Sequence, residues 1–282
     1  MKGAFYIVST PIGNLEDITL RALRILSEVD IIAAEDTRHA LKLLNHHGIQ
    51  KPLVSYWKER EFERSDEIIS RLRGGQSVAL ISDSGTPGIC DPGAVVIKKA
   101  IQEDIQVISV PGPSALVAAL SVSGLPAEHF TFWGFLPARK NQRKKIFSDL
   151  QFEEKTLIFY EAPHRIMASL TDMVEFFGER HAALVKEITK MHEQVLRGNI
   201  AQIIEEVRCS VIAGEYVVIV EGWTRAPARV TDDALTELRS YMRKGIGRKE
   251  AVQKIAEKYG ISKQQLYKKS LDAVFEDSDE TP

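Results

Sequence analysis

Cysteine is scarce, and the usual metal and nucleotide signatures are missing. Cys90 and Cys209 lie far apart and outside any CxxC pattern, which excludes a disulfide framework or a cysteine zinc site and fits a reducing compartment. The chain has no GxxxxGK[ST] loop and no HExxH helix, so phosphate-loop NTPase and zinc-hydrolase chemistry are disfavoured. Gly245-Ile246-Gly247 opens like a dinucleotide fingerprint, but it follows a helical pattern and lacks the later glycine. His46-His47 precedes a glycine without partnering ligands and reads as a polar helix end. No apolar run reaches the roughly 20 residues of a membrane span. Met1-Lys2-Gly3 leads straight into a strand-like run with no signal sequence. The expectation is a cytoplasmic protein with no membrane partner, no metal, no internal repeat and no low-complexity tract.

At 282 residues and 44% hydrophobic, the chain can bury a core for one large or two medium domains. Its net charge of −2 conceals an uneven distribution. Arg239 to Lys269 holds ten Lys or Arg against two Glu, whereas Asp272 to Pro282 holds five acids and no base. The basic segment has the footprint of a polyanion-binding surface, and the acidic end reads as a disordered tail. A second basic run, Arg139 to Lys145, follows the aromatic stretch FTFWGFLP, Phe130 to Pro137. For each basic run a merely solvated helix face is the competing account.

Strand-like runs at Phe5–Val8, Asp30–Ala34, Val78–Ser82 and Gln106–Val110 alternate with helical patterns, the order of a largely parallel sheet. The first helix carries Leu20, Leu23 and Leu26 at helical spacing, with Asp17 or Thr19 as N-cap. From Glu128 the strand candidates crowd together: Phe130–Phe135, Thr156–Tyr160, Ala182–Lys186, Gln194–Arg197 and Tyr216–Glu221. They predict a second α/β domain with a mixed sheet, beginning near Ser123-Gly124. The expected domains are therefore residues 1–123 and 124–226, with a ligand cleft between them. After a linker at Pro227-Ala228, a helix-turn-helix-like basic module occupies 230–271, with Leu266 and Leu271 facing inward.

Three loops hang from strand ends in the manner of a ligand cleft: STPIGN after the first strand, SDSGTPG after the third, and PGPSAL after the fourth. Asp83 could accept from a ribose hydroxyl or face a cation, or it could only make an Asx turn. In PGPSAL, stiffened prolines lead into a helix whose free amides would face the cleft. Glu35-Asp36-Thr37-Arg38 and Glu161-Ala162-Pro163-His164-Arg165 place charges at two further strand ends, to line the cleft or to cap helices. Glu187-Ile188-Thr189-Lys190 is a similar case.

The ordered set STPIGNLEDITLRAL, AAEDTRH, SDSGTPGICDPG, PGPSAL, GFLP, FYEAPHR and KEITK resembles the bacterial ribosomal RNA small-subunit methyltransferase I family. That family belongs to the tetrapyrrole-methylase-like, class III, S-adenosylmethionine enzymes. The resemblance covers about Phe5 to Gly222, and the basic module is similar to an appendix some members carry. It implies two α/β domains with S-adenosyl-L-methionine in the cleft, a homodimer, and 2′-O-methylation of a cytidine in the decoding region of 16S rRNA, the small ribosomal subunit being the partner. It puts Pro11, Gly13, Asp83, Gly85, Thr86, Ser114 and Ala115 on the cofactor side. It puts Glu35, Asp36, Arg38, Glu161, His164, Arg165, Glu187 and Lys190 near the site. Among these, Asp36, Glu161 or His164 would accept the ribose proton, while Arg38 or Arg165 would hold phosphate. RNA contacts are expected from Arg139, Lys140, Arg143, Lys144 and Lys145, and from Lys263, Lys268 and Lys269. The alternatives are a methylase of a tetrapyrrole-like small molecule, which needs no basic module, and a non-enzymatic nucleic-acid-binding regulator, which leaves the loop-bearing α/β portion unexplained.

Overall fold

A computed structural model describes residues 2–224 and 230–275 of the chain. The chain divides into two compact units, Met1–Trp223 and Thr224–Pro282. The expected linker at Pro227-Ala228 lies outside the described residues.

The first half of the larger unit runs β1 (Phe5–Val8), α1 (Leu20–Glu28), β2 (Ile31–Ala34), α2 (Thr37–His46), β3 (Leu53–Ser55), α3 (Glu61–Arg73), β4 (Val78–Ile81), α4 (Ala94–Gln102), β5 (Val107–Val110) and α5 (Ala115–Ser123). Its five strands form one parallel sheet in the order β3-β2-β4-β1-β5. The central strands β2 (IIAA) and β4 (VALI) are buried at every position, as a parallel sheet covered on both faces requires. Thr19 caps α1, its hydroxyl accepting the Ala22 N–H at 3.0 Å. The helix buries Ala22, Ile25 and Leu26, whereas Leu20 is 87% exposed. The expected Leu20-Leu23-Leu26 stripe is thus corrected by about a quarter turn, because the sheet is met by the Ala22/Ile25 side.

The second half runs β6 (Phe130–Phe135), α6 (Lys140–Leu150), β7 (Thr156–Glu161), α7 (Ile166–Phe177), β8 (His181–Lys186), β9 (Gln194–Asn199), α8 (Ile200–Arg208) and β10 (Tyr216–Val220). Its sheet has the order β6-β7-β10-β8-β9, with β6 and β7 parallel and the other pairs antiparallel. One face packs under α6, α7 and α8 around Phe147, Phe159, Leu170 and Ile203. The other face receives α5: Ala119 and Leu120 cluster with Ile158, Ala183, Val217 and Ile219, and Ile12 of the first loop joins them. Burying this apolar surface from both halves, at about 25 cal/mol per Å², fixes the strand ends of the first sheet against the second.

The smaller unit contains α9 (Asp232–Arg243), α10 (Arg248–Tyr259) and α11 (Lys263–Phe275). Thr231 caps α9 through the Ala234 N–H, and Gly260 ends α10 in the left-handed region at φ 65°. Ala234, Leu238, Ala251, Val252, Ile255 and Leu266 make a separate core. Leu271, expected inward, is exposed. Helix α11 also continues to Phe275, so residues 272–275 are helical rather than the start of a disordered tail. The remainder of the acidic stretch lies outside the described residues.

Candidate active site

Strands β1, β4 and β5 end side by side, and hydrogen bonds stitch their loops together. Thr10 and Gly85 exchange backbone bonds, Thr10 N–H to Gly85 O at 2.8 Å and Gly85 N–H to Thr10 O at 3.2 Å. The Ser9 and Thr86 hydroxyls lie 2.8 Å apart, and Thr86 also donates to the Pro113 carbonyl at 3.3 Å. Above the stitch opens a cavity of about 310 Å³, within the ~300–1,000 Å³ range of small-molecule sites. The first half contributes Ile12, Gly85, Thr86, Cys90 and Asp91, with Ser114 and Ala115 from the start of α5. The second half contributes Phe135, Tyr160, Glu161, Glu215 and Val217.

Of the residues singled out by sequence, Gly85, Thr86, Ser114, Ala115 and Glu161 line this cavity, whereas Pro11, Gly13, Asp83, Asp36, Arg38, His164 and Arg165 do not. Asp36 caps α2: its Oδ1 accepts the Arg38 N–H at 2.8 Å, and both its oxygens accept from the Arg38 guanidinium, at 3.1 and 2.7 Å. Those bonds hold the Asp36 carboxyl far below the usual range, which makes it a poor base. The Asp36 N–H in turn donates to Asp83 Oδ1 at 3.0 Å, so Asp83 ties two loops together. Glu161, buried, accepts from the Ala162 N–H at 2.8 Å, from the Ser169 hydroxyl, and from Arg165 at 2.7 Å. Arg165 also donates to the Leu136 carbonyl at 3.2 Å. This pair of a buried carboxylate and a half-buried guanidinium braces β7, α7 and the GFLP segment, and both Glu161 oxygens are occupied. His164 is exposed.

The KEITK loop does not line the cavity but is tied to its wall residue Glu215 by Lys190. Its Nζ donates to Glu187 Oε1 at 2.8 Å and to Glu215 Oε2 at 3.0 Å. Despite desolvation, these bonds raise the Lys190 ammonium above its usual range, and the bond from Lys190 lowers the Glu187 carboxyl. Glu187 and Thr189 sit at φ 50° and 66°, strain of a kind that collects at functional sites. The Lys190 stem lies across Gly13, where a Cβ would stand 2.3 Å from Lys190 Cγ at a φ of +154°. Gly13 is therefore a cradle for Lys190, and Lys190 holds Glu215 at the cavity rim.

Sequence reasoning passed over Asp91, although it belongs to the quoted SDSGTPGICDPG loop. Burial pushes its carboxyl up to about 6, with Asp83 and Glu215 adding repulsion and the Ser82 hydroxyl pulling the other way. Glu35 is raised by the same cluster, through desolvation and then Asp91 and Asp83. Tyr160, also missed, accepts the Leu116 N–H at 3.0 Å, which satisfies one amide at the α5 amino end. Its hydroxyl is pushed up to about 12 by burial. Asp91 shares a loop with Asp83, but Glu35, Tyr160 and Glu215 come from segments more than 50 residues from it and from one another, so no local spacing signals the set.

A family model described as Tetrapyrrole (Corrin/Porphyrin) Methylases matches residues 4–204. Over 273 residues the chain is 43% identical to the ribosomal RNA small subunit methyltransferase I of Synechocystis sp., covering 96% of this chain and 98% of that protein. The chain belongs to the ribosomal RNA small subunit methyltransferase I family. The family member from Thermotoga maritima is 43% identical over 220 residues, which is 99% of that protein but 78% of this chain. In fold, the chain matches uroporphyrin-III C-methyl transferase from Thermus thermophilus complexed with S-adenyl homocysteine. That likeness has a TM-score of 0.54 at 18% identity and covers 77% of this chain and 97% of the other.

The expected RNA-contact residues separate in the structure. Arg139, Lys140 and Lys145 are exposed on α6 or its cap. Arg143 is not a surface cation: it is 3% exposed and donates through Nε and Nη2 to Asp172 Oδ2, at 2.9 and 2.5 Å. Lys144 is paired with Glu175. In the smaller unit Lys263 pairs with Glu257 at 3.3 Å, while Lys268 and Lys269 are exposed. Among the described residues no helix is long and apolar enough to cross a membrane.

Proposed function

We propose that this family member methylates small-subunit ribosomal RNA with S-adenosylmethionine, at the ribose 2′-oxygen of a cytidine in the decoding region of 16S rRNA. What supports this function is the cavity at the ends of β1, β4 and β5, where apolar walls, the carboxylates of Asp91, Glu161 and Glu215 and the amino end of a helix converge. That set fits S-adenosylmethionine, which combines a sulfonium, an ammonium, a carboxylate and a flat base. Asp91 and Glu215 complement the positive charges. The Ser114-Ala115 end of α5 offers amides to a carboxylate, and Ile12, Ile89 and Val217 offer apolar contact to the base.

When bound, S-adenosylmethionine supplies a methyl group already activated by its positive sulfur. The chain's own task is to position the ribose hydroxyl and take its proton. Asp91 is the proton acceptor in this reading. Near neutral pH it is ionised, yet it is more basic than an ordinary carboxylate, whereas Asp36 is held by Arg38 and Glu161 is occupied by three donors. Exposed Arg139, Lys140, Lys145, Lys268 and Lys269 supply sequence-independent attraction to phosphates. A homodimer completes the reading, and sedimentation tests it.

The deciding experiment is transfer of a labelled methyl group to purified small ribosomal subunits and to naked rRNA, followed by mapping of the label. Label on a cytidine 2′-oxygen is expected. Label on a base would overturn the ribose assignment, and label on a tetrapyrrole with none on RNA would replace the substrate class.

A further inference from the structure

We propose that the edge strand β6 and the turn after it form a stacking platform for single-stranded RNA entering the cavity, with Phe135 under the target base and Trp133 under a neighbour. This rests on the RNA-substrate reading above.

Among the described residues strand β6 pairs only with β7, leaving its other edge open. Its register slips between Phe132 and Gly134. Gly134 permits the slip: it sits at φ +79°, and a Cβ there would stand 2.8 Å from Cys90 Sγ. The slip leaves Trp133 as the extra, unpaired residue and brings Phe135, opposite Tyr160, to the face that Phe132 occupies; Trp133 and Phe135 are 44% and 56% exposed, and Phe130 is exposed as well. Three exposed aromatics along an open edge are an aggregation hazard unless a partner covers them.

Phe135 is both exposed and part of the cavity wall. Its ring packs edge-to-face on Tyr160 at 5.4 Å, and Phe132 braces Tyr160 from another side at 5.0 Å. The Tyr160 hydroxyl is in turn fixed by the Leu116 N–H. The Phe135 face is therefore preorganised at the mouth of the site. Four and five residues further on, Arg139 and Lys140 are exposed and have no acidic partner within 4 Å among the described residues. Aromatic faces followed by free cations are the combination that binds single-stranded nucleic acid, bases stacking on rings and phosphates meeting Lys and Arg. The adjoining positive charge selects a polyanion as the occupant of the edge.

The test uses the full-length protein with Phe135→Leu, which keeps apolar bulk at the cavity wall but removes the ring face, and Phe135→Tyr, which restores it. Loss of one base stack should raise KM for rRNA on the order of ten-fold, a larger change than in cofactor affinity, with recovery in Phe135→Tyr. Trp133 fluorescence should be quenched by a single-stranded oligonucleotide, and that quench should vanish in Trp133→Phe. An unchanged KM in Phe135→Leu overturns the proposal, as does a loss confined to cofactor affinity. A change in oligomeric mass that accounts for the loss also overturns it, because a second copy would then be what covers β6. If the parent enzyme transfers no label to RNA, the substrate reading fails. The oligonucleotide quench requires no turnover and still judges the platform.

Discussion

Replacing Asp91 with Asn gives the sharpest test of the charge arrangement in the cavity. Burial, Asp83 and Glu215 raise this carboxyl from 3.8 to about 6, a shift of about two units, or about 3 kcal/mol at 1.36 kcal/mol per unit. Asp91 is only partly buried, so solvent screening reduces that to about 1–2 kcal/mol. The sign follows from proton binding. Between pH 4 and 6 the folded chain holds a proton at Asp91 that the unfolded chain has lost, so stability falls as pH rises through this window and is level above it. Asn cannot ionise, yet it keeps nearly the same size and shape. At pH 7.5 Asp91→Asn should therefore be more stable than the parent, by roughly 2–8 °C in Tm, and near pH 4 the two should melt together. Glu35 is raised in part by Asp91 itself, so the substitution also relieves Glu35 and adds to the gain at pH 7.5 in the same direction. The same substitution should lower methyl transfer on the order of 100-fold or more and remove a rising limb of the rate profile centred near pH 6. Equal melting differences at both pH values, or a less stable variant at pH 7.5, would refute the charge argument; unimpaired transfer would refute the role as base.

Other perturbations test separate parts of the structure. Asp172→Ala leaves the Arg143 guanidinium buried without its carboxylate and should cost about 3–5 kcal/mol in urea unfolding, whereas Arg143→Met with Asp172→Leu should cost far less; equal costs would show that the pair is not the source. Gly13→Ala drives a methyl into the Lys190 stem in a conformation unfavourable to alanine. It should cost about 1–3 kcal/mol in stability, read by urea unfolding, and weaken cofactor binding as Glu215 is released, read by calorimetric titration. Lys268→Gln and Lys269→Gln should each reduce the salt slope of RNA binding by about 1 with cofactor affinity intact, whereas Lys263→Gln should do less because Glu257 already neutralises Lys263.

The fold was legible wherever one segment carries its own signal. The runs at Phe5–Val8 and Phe130–Phe135 are strands over those residues, and Thr19, Thr231 and Gly260 act as the caps their residue types predict. β3 was not legible, because three half-buried residues after Pro52 show no periodicity to distinguish them from loop. α1 misled for a different cause: Leu20, Leu23 and Leu26 make as good a stripe as Ala22, Ile25 and Leu26, and only the sheet beneath decides between them.

The same division governs the site. Motif order located the right loops, since Gly85, Thr86, Ser114 and Ala115 do wall the cavity, but it could not say which charged groups remain free. Asp36 looked like a base and is chelated two residues later by Arg38. Glu161 looked like another and is buried under Arg165. Arg143 sat in a basic run and is neutralised by an aspartate 29 residues away on α7. In each case the residue type was informative and the partner was not, because a partner is chosen by tertiary packing. A charge that lacks a partner is the one available for chemistry, and that property appears only once the chain has folded. Asp91 has this property: Asp83 and Glu215 repel its charge, and among the described residues no Lys or Arg pairs with it within 4 Å, Lys190 being bound to Glu187 and Glu215. A protein that bound only neutral or anionic ligands there would gain by replacing Asp91 with an amide. A carboxylate without a counter-ion at a cavity wall is therefore the physical reason to expect a cationic ligand in it.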